Sequence, residues 1–235
     1  MQLFYFSQPN ATDEFLSLEK EDTRHITKVL RKKVGDVINV TNGRGDLFDA
    51  TITQLTSNKC QLKLKHLRFE TSKKPQLHIA IAPTKMNDRM EWFLEKSTEL
   101  GISAITPLLC SNSERRNIKE ERFEKIIISA MQQSLQLHKP VLHPFINLDE
   151  FVHSANSELK LIAHCEETNK KHITELLDSE KDTLILIGPE GDFTPAEIQN
   201  ALKNQFAPVH LGHTRLRTET AGIYVASLFN AVIQE

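Results

Sequence analysis

The sequence has few cysteines and no long apolar run, and each absence excludes a class of protein. Its three cysteines, Cys60, Cys110 and Cys165, are odd in number and far apart along the 235 residues. That spacing suits neither a disulfide framework nor a zinc site. No stretch approaches the roughly 18 consecutive apolar residues of a membrane helix. Residues 1–9 also lack a basic segment followed by an apolar one. We therefore expect a cytoplasmic protein with reduced thiols, no metal and no membrane partner.

The net charge of -2 conceals an uneven distribution of charge. Residues 1–74 contain 13 lysines and arginines against 9 acidic residues, whereas the remainder contains 16 against 22. Affinity for phosphates depends on the local patch rather than on the average. The amino-terminal part is therefore the candidate surface for nucleic acid.

The amino-terminal part predicts a small β-barrel that carries one basic helix. Helical spacing covers residues 22–33, with a cap at Asp22 or Thr23 and a stop at Gly35. Strand-like segments follow at residues 37–40, 47–55 and 60–67, separated by tight turns. The polar run over residues 70–75 ends in a proline, so we place a domain boundary there. The expected domains are residues 1–72 and 73–235.

From residue 77 onward, short apolar segments alternate with stretches of helical spacing. Strands are expected at residues 77–82, 102–109, 159–164, 184–187 and 209–211, and helices at 88–100, 122–137, 173–177, 195–203 and 221–233. This alternation is typical of an α/β domain with a mostly parallel sheet covered by helices. Such sheets bind ligands in the loops at the carboxyl ends of their strands.

One such loop is glycine-rich. Residues 187–194 read Ile-Gly-Pro-Glu-Gly-Asp-Phe-Thr and lead into Thr194-Pro-Ala-Glu197, a capping box with proline at the first helical position. Glycines let the backbone approach a ligand, although Gly-Pro-Glu-Gly also suits a plain tight turn. Because the sequence has no Gly-x-Gly-x-x-Gly or Walker pattern, a dinucleotide or ATP is disfavoured. A nucleoside without phosphates, such as S-adenosylmethionine, fits better.

A second loop, residues 211–221, reads Leu-Gly-His-Thr-Arg-Leu-Arg-Thr-Glu-Thr-Ala. Thr218 as a cap and Glu219 in the first turn would be ordinary at the start of a helix. Arg215 and Arg217 are not ordinary there, because positive charge is unfavourable next to a helix amino terminus. This conflict is typical of a site that binds an anion or a developing negative charge.

Several segments, in order along nearly the whole chain, resemble the ribosomal RNA small subunit methyltransferase E family. Members of this family methylate N3 of a uridine in 16S rRNA and belong to the SPOUT class. The matching segments are Arg24-His, Val29-Leu-Arg, Val34-Gly-Asp36, Glu95-Lys-Ser-Thr-Glu-Leu-Gly101, Ile187-Gly-Pro-Glu-Gly, Leu211-Gly and Leu216-Arg-Thr-Glu-Thr-Ala221. The family pattern usually has glycine where this chain has Asp192.

The resemblance implies a PUA-like RNA-binding barrel followed by an α/β SPOUT domain with a trefoil knot. The implied cofactor is S-adenosylmethionine, and the implied partners are 16S rRNA of the small ribosomal subunit and a second copy of the chain. The cofactor would be held by Ile187, Gly188, Pro189, Glu190, Gly191, Leu211, Gly212, Leu216, Arg217 and Thr218.

Catalytic roles follow from the same resemblance. Arg217, with Arg215 second, would stabilise negative charge on the uracil, and Glu219 is a candidate general base. Candidate contacts to RNA phosphates are Arg24, Lys28, Arg31, Lys32 and Lys33, although such a basic helix face is often only solvated.

Two alternatives from other classes remain open. A non-catalytic RNA-binding or ribosome-assembly protein would use the same basic amino-terminal part. An unrelated α/β enzyme acting on a nucleotide is disfavoured by the missing phosphate loop. His164 lies beside Cys165 but has no second metal ligand at suitable spacing, so we expect a packing or surface histidine there, and likewise at His138 and His143.

Overall fold

A computed structural model describes residues 2–233, apart from the side chains of Lys28 and Val29. The chain divides into two compact units, Met1–Ser72 with Met131–Lys139, and Lys73–Ala130 with Pro140–Glu235. Residues 131–139, which we expected in the second domain, thus pack within the first unit. The boundary between domains at residue 72 stays a prediction. Among the described residues, no helix has the length and apolar character needed to span a membrane.

The first unit is built on one five-stranded sheet. Its strands are β1 (Leu3–Tyr5), β2 (Phe15–Leu18), β3 (Val37–Thr41), β4 (Asp46–Leu55) and β5 (Cys60–Phe69), in the spatial order β1-β3-β4-β5-β2. β1 is parallel to β3, and the other neighbours are antiparallel. Side chains from all five strands, among them Phe4, Leu16, Val40, Phe48 and Leu62, are buried in one cluster. A sheet whose strands all share one core curls around it, which agrees with the predicted barrel.

The basic helix begins earlier and ends earlier than the sequence predicts. Helix α1 covers Lys20–Arg24 and continues as a π-helical turn over His25–Val29. Its N-cap residue is Glu19, whereas Thr23, an expected cap, is buried inside the helix. Arg31 has a φ of 53°, in the left-handed region that interrupts a right-handed helix. Arg31 and the two lysines after it therefore lie in the loop beyond the helix.

The second unit contains an eight-stranded sheet in which every pairing is parallel. Its strands are β6 (Leu77–Ile81), β7 (Ala104–Leu109), β8 (Val141–Leu142), β9 (Ile146–Asn147), β10 (Leu159–Ala163), β11 (Lys171–His172), β12 (Thr183–Ile187) and β13 (Ala207–His210). The order is β11-β13-β10-β12-β6-β7-β8, and β9 pairs with β7. The sequence analysis missed β8, β9 and β11, because two residues are too few to show a period.

Helices cover both faces of this sheet. They are α2 (Asn87–Glu99), α3 (Glu120–Gln133), α4 (Leu148–Ser154), α5 (Pro195–Lys203) and α6 (Thr218–Ile233). Successive residues of β12 point to opposite faces, so Ile185 and Ile187 pack with α2 and α6, while Leu184 and Leu186 pack with α4 and α5. Burial on two faces requires a continuous apolar strand, and every residue of β12 is buried.

Apart from shifts of one or two residues, the helices of the second unit differ from the expected ones in four places. Helix α3 ends at Gln133 rather than at residue 137, and Leu135, at a φ of 59°, departs from helical geometry. The expected helix at 173–177 is a 3-10 turn at Ile173–Glu175. Helix α4 was not predicted, and α6 begins at Thr218 rather than at residue 221. The trefoil knot that the resemblance implies stays a prediction.

The strand order brings the two loops of interest together. Strand β10 lies between β12 and β13, with Ala163 beside Ile187 on one side and beside Val209 on the other. Because the strands are parallel, their carboxyl ends lie at the same edge of the sheet. The loop after β12 (residues 188–194, the β12 loop) and the loop after β13 (residues 211–217, the β13 loop) therefore flank the end of β10.

Candidate functional site

A cleft of about 570 Å³ opens at this edge of the sheet. Its volume lies in the range typical of pockets for small ligands. The β12 loop and the β13 loop line it from either side, and Ala163, His164, Cys165 and Lys170 line it at the end of β10. Within this unit, the cleft is thus the place where the two predicted cofactor loops meet.

Nine of the ten residues expected to hold the cofactor line the cleft. They are Ile187, Gly188, Pro189, Glu190, Leu211, Gly212, Leu216, Arg217 and Thr218. Gly191 is not among the lining residues: its carbonyl oxygen accepts a hydrogen bond from the side-chain amide of Asn112 at 3.1 Å. A Cβ added to Gly191 would lie 3.1 Å from Cβ of Asn112, so glycine there permits a close approach to Asn112.

Two hydrogen bonds connect the β12 loop to the β13 loop and to the start of α6. The hydroxyl of Thr218 donates to the carbonyl oxygen of Gly188 at 3.0 Å, and this bond is buried. Thr218 therefore connects the start of α6 to the β12 loop, rather than serving as the cap that its sequence position suggested. Nη2 of Arg215 also lies 3.5 Å from the carbonyl oxygen of Glu190.

Gly212 gives the β13 loop a conformation that other residues rarely adopt. Its φ is 122°, and a Cβ added there would have no neighbour within 4 Å. Backbone conformation, not lack of space, therefore requires glycine at this position. Its N–H donates to Nδ1 of His210 at 3.3 Å, and the space beside the residue is open.

Asp192, at the position where the family pattern has glycine, has a defined structural role. Its φ of 61° is left-handed, a region that aspartate tolerates better than most residues. Its carboxylate accepts hydrogen bonds from the backbone N–H of Cys165 at 2.6 Å and of Phe193 at 2.8 Å. A glycine could not make these bonds, which tie the β12 loop to the segment after β10.

The predicted capping box at the start of α5 is confirmed. The hydroxyl of Thr194 accepts from the backbone N–H of Glu197, and the carboxylate of Glu197 accepts from the backbone N–H of Thr194 at 2.7 Å. The same carboxylate accepts from the backbone N–H of Ser111 at 2.7 Å. Burial by itself raises the pKa of Glu197, but the hydrogen bonds from Ser111 and Thr194 outweigh it and lower the pKa. Glu197 is thus an ionised structural residue that fixes the far end of the β12 loop.

The two arginines of the β13 loop both line the cleft and are exposed. Arg217 immediately precedes Thr218, the first residue of α6, so a positive charge does lie at a helix amino terminus. Among the described residues, the guanidinium of Arg217 has no hydrogen-bond or ion-pair partner. It is therefore available to a ligand.

Glu219 lies outside the cleft lining that contains these arginines. Its side chain is buried and is not part of the cleft lining, and its carboxylate lies 3.8 Å from Nε of Arg89 in α2. This placement gives Glu219 a structural partner, and its expected role as general base stays a prediction.

The expected RNA contacts lie in the first unit. Arg24, Arg31 and Lys33 are exposed, and Lys32 is half-buried, whereas the side chain of Lys28 is outside the described part of the chain. Their role in binding RNA stays a prediction.

The second unit has a basic groove of about 500 Å³ that the sequence analysis missed. Its basic lining residues are Lys85, Arg115, Arg116, Lys119 and Arg122, and its acidic one is Glu114, which pairs with Lys85 at 2.6 Å. The signal was visible in the sequence as four basic residues between positions 115 and 122. Lys85 comes from a distant segment, so the sequence alone could not show that it lines the same groove.

Comparisons with known proteins agree with this architecture. Residues 70–230 match the RNA methyltransferase domain family, and residues 18–65 match the RNA methyltransferase PUA domain family. The ribosomal RNA small subunit methyltransferase E of Rickettsia conorii is 31% identical over 93% of this chain and 91% of its own length.

Solved structures are similar over nearly the whole chain. A protein of Porphyromonas gingivalis, described as a probable rRNA-methyltransferase, is 38% identical with a TM-score of 0.86, covering 100% of this chain and 99% of that one. The ribosomal RNA small subunit methyltransferase E of Neisseria gonorrhoeae, crystallised with S-adenosyl methionine, is 28% identical with a TM-score of 0.84, covering 99% and 98%.

Proposed function

Because the chain belongs to the ribosomal RNA small subunit methyltransferase E family, we propose that it methylates N3 of a uridine in 16S rRNA. The methyl donor is S-adenosylmethionine, and the substrate is the RNA of the small ribosomal subunit. The observation that carries the proposal is the cleft lined by both loops at the end of β10. Two separate loops thereby line one site, whose volume suits a small ligand such as a nucleoside cofactor.

The charges around the cleft suit this cofactor. Glu190 and Asp192 belong to the β12 loop, whereas Arg215 and Arg217 belong to the β13 loop, so one wall is acidic and the other basic. S-adenosylmethionine carries a positive sulfonium and a positive ammonium, which an acidic wall favours.

The protein's own part in the reaction is alignment, exclusion of water and stabilisation of charge. When bound, S-adenosylmethionine supplies a methyl group that is already electrophilic. The target N3 must lose its proton to a general base, the role expected of Glu219, and this leaves negative charge spread over O2 and O4 of the uracil. Arg217, whose guanidinium is unpaired among the described residues, would donate hydrogen bonds to these oxygens, with Arg215 second.

RNA would be held through its phosphates by two sets of basic side chains, each within one unit. The first set is Arg24, Lys28, Arg31, Lys32 and Lys33, and the second is the basic groove. Removing one phosphate-binding side chain should reduce the salt dependence of RNA affinity by about 0.7 to 0.9 in log-log slope. Replacing Arg115 and Arg116 together by alanine should therefore flatten the slope, whereas Lys203→Ala, at the end of α5, should leave it unchanged.

We also propose that the chain acts as a homodimer and that it meets its substrate in the cytoplasm. Trp92 and Met86 are 45% and 50% exposed, and aromatic residues and methionine are enriched at protein interfaces. Light scattering of the purified protein should give twice the mass of the chain. A monomer at micromolar concentration would contradict the dimer without affecting the cleft.

A pair of matched variants tests the cofactor site. Gly212 and Gly35 both have positive φ, 122° and 96°, and neither has a neighbour within 4 Å of an added Cβ. Gly212→Ala and Gly35→Ala should therefore strain the backbone to a similar degree. Only Gly212→Ala should weaken binding of S-adenosylhomocysteine, measured by calorimetry. Equal affinity in both variants would contradict the placement of the cofactor in this cleft.

Activity is measured separately, by incubating small-subunit particles with labelled S-adenosylmethionine and mapping the modified base. Methylation at N3 of a single uridine is the expected result. RNA binding by a wild-type protein that shows no affinity for the cofactor would select the non-catalytic RNA-binding alternative instead.

A further inference from the structure

His164 is the least exposed polar residue at the end of β10, and its side chain makes no hydrogen bond within the described part of the chain. Its exposed fraction is 6%, and neither Nδ1 nor Nε2 has a hydrogen-bond partner among the described residues. Buried polar groups are nearly always paired, because an unpaired one keeps the full cost of losing its water. The imidazole of His164 is therefore a candidate to hydrogen bond to a bound ligand.

The fold places this imidazole at the inner end of the cleft. His164 directly follows Ala163, the residue of β10 that lies beside both Ile187 and Val209. It is consequently next to the roots of both loops and lines the same cleft as they do. Its backbone is fixed as well, since Nζ of Lys170 donates to its carbonyl oxygen at 2.6 Å.

The charge state of His164 indicates which ligand groups it could bind. Burial and the nearby positive charge of Lys170 lower its pKa, outweighing Asp192 and Glu166, which act to raise it. The ring is therefore neutral at pH 7, with one nitrogen that donates and one that accepts. Ribose hydroxyls and the edge of adenine likewise both donate and accept hydrogen bonds, whereas phosphates only accept.

We propose that His164 is a binding residue for the nucleoside part of the cofactor and hydrogen bonds to it at the inner end of the cleft. This inference rests on the proposed function. The nucleoside would then occupy the inner end of the cleft. The RNA base would contact Arg215 and Arg217 in the exposed β13 loop. A base entering from solvent meets the exposed arginines before it reaches a histidine that is 6% exposed.

The proposal has a signature that a purely structural histidine would not give. His164→Leu removes an unpaired buried polar group, so the variant without ligand should melt at the same temperature as the wild type or higher. Its affinity for S-adenosylhomocysteine should nevertheless fall about tenfold or more. His164→Gln keeps a donor and an acceptor and should recover most of that affinity. His153→Leu, at an exposed site outside the cleft lining, is the control and should bind normally.

Calorimetry with two ligands completes the test. 5′-Methylthioadenosine lacks the amino-acid part of the cofactor, so His164→Leu should weaken it by the same factor as S-adenosylhomocysteine. A loss confined to S-adenosylhomocysteine would contradict the assignment to the nucleoside. Unchanged binding in His164→Leu, or a lower melting temperature that His164→Gln does not correct, would overturn the proposal. Absence of binding in the wild type itself would instead refute the proposed function.

Kinetics give an independent measure. His164→Leu should raise KM for S-adenosylmethionine while KM for RNA stays near the wild-type value. A variant that changes only KM for RNA would place His164 against the substrate base and would contradict the proposal.

Discussion

The hydroxyl of Thr218 donates to the carbonyl oxygen of Gly188 at 3.0 Å, across 30 positions of sequence. Thr218 begins α6, and Gly188 begins the β12 loop, so this buried bond connects the two sides of the cleft. The geometry of the cleft therefore depends on a contact between two separate segments of the chain.

Thr218→Val tests this bond, because valine has nearly the same shape but no hydroxyl. The carbonyl of Gly188 would lose its partner, and we expect the free energy of unfolding to fall by about 1 to 3 kcal/mol. Binding of S-adenosylhomocysteine should weaken as well. Urea unfolding and calorimetry measure the two effects. Thr218→Ser keeps the hydroxyl and should retain most of both; a loss in Thr218→Ser that Thr218→Val does not show would mean that the methyl group, not the bond, matters.

Arg217→Ala should lower kcat by a factor on the order of 10² to 10³, the usual effect of removing one donor to developing negative charge. Cofactor affinity should change little, because the guanidinium acts on the uracil. Single-turnover methylation and calorimetry separate chemistry from binding. Lys203→Ala removes an exposed charge outside the cleft lining and should be fully active. A wild-type rate in Arg217→Ala would exclude Arg217 from the mechanism.

His78 makes stability depend on pH. Burial first, and the neighbouring His143 second, lower its pKa from 6.5 to about 4. The unfolded chain therefore binds a proton that the folded chain does not between these values, so stability is complete above pH 6.5 and falls as pH drops toward 4. The whole shift corresponds to roughly 3 kcal/mol.

Urea unfolding at several pH values measures this effect. Nε2 of His78 is hydrogen bonded to the hydroxyl of Thr106 at 2.7 Å, so His78→Gln keeps a polar partner while removing the titration. The variant should show a flatter profile between pH 6.5 and 4 than the wild type. Identical slopes would assign the pH dependence to other groups.

Gly222 allows α6 to approach α2 closely. A Cβ added there would lie 2.7 Å from Cδ2 of Phe93 and closer still to Cε2, and Phe93 is fully buried. Gly222→Ala should therefore destabilise the protein by about 1 to 3 kcal/mol through overpacking, although alanine favours helices. Ser227→Ala, at an exposed position of the same helix, should be neutral or stabilising. A stabilised Gly222→Ala would mean that the two helices move apart at little cost.

The sequence predicted the features that depend on neighbouring residues. The period of the apolar residues gave the strands and most helices of the second unit to within a few positions, because burial on one face or two leaves a local pattern. The capping box Thr194-Pro-Ala-Glu197 was predicted in full, since all its partners lie within one turn. The two glycine- and arginine-containing loops were likewise visible, as was their place after strands.

The tertiary structure decided which of these features meet. No local pattern shows that β10 lies between β12 and β13, so the sequence could not reveal that His164 is buried at the cleft with no hydrogen-bond partner in residues 2–233. Glu219 was an expected base, and only the packing of α6 on α2 places it against Arg89 and away from the cleft lining. Local periodicity sets which residues are buried, whereas strand order and helix packing, which join distant segments, set which chemical groups share a site.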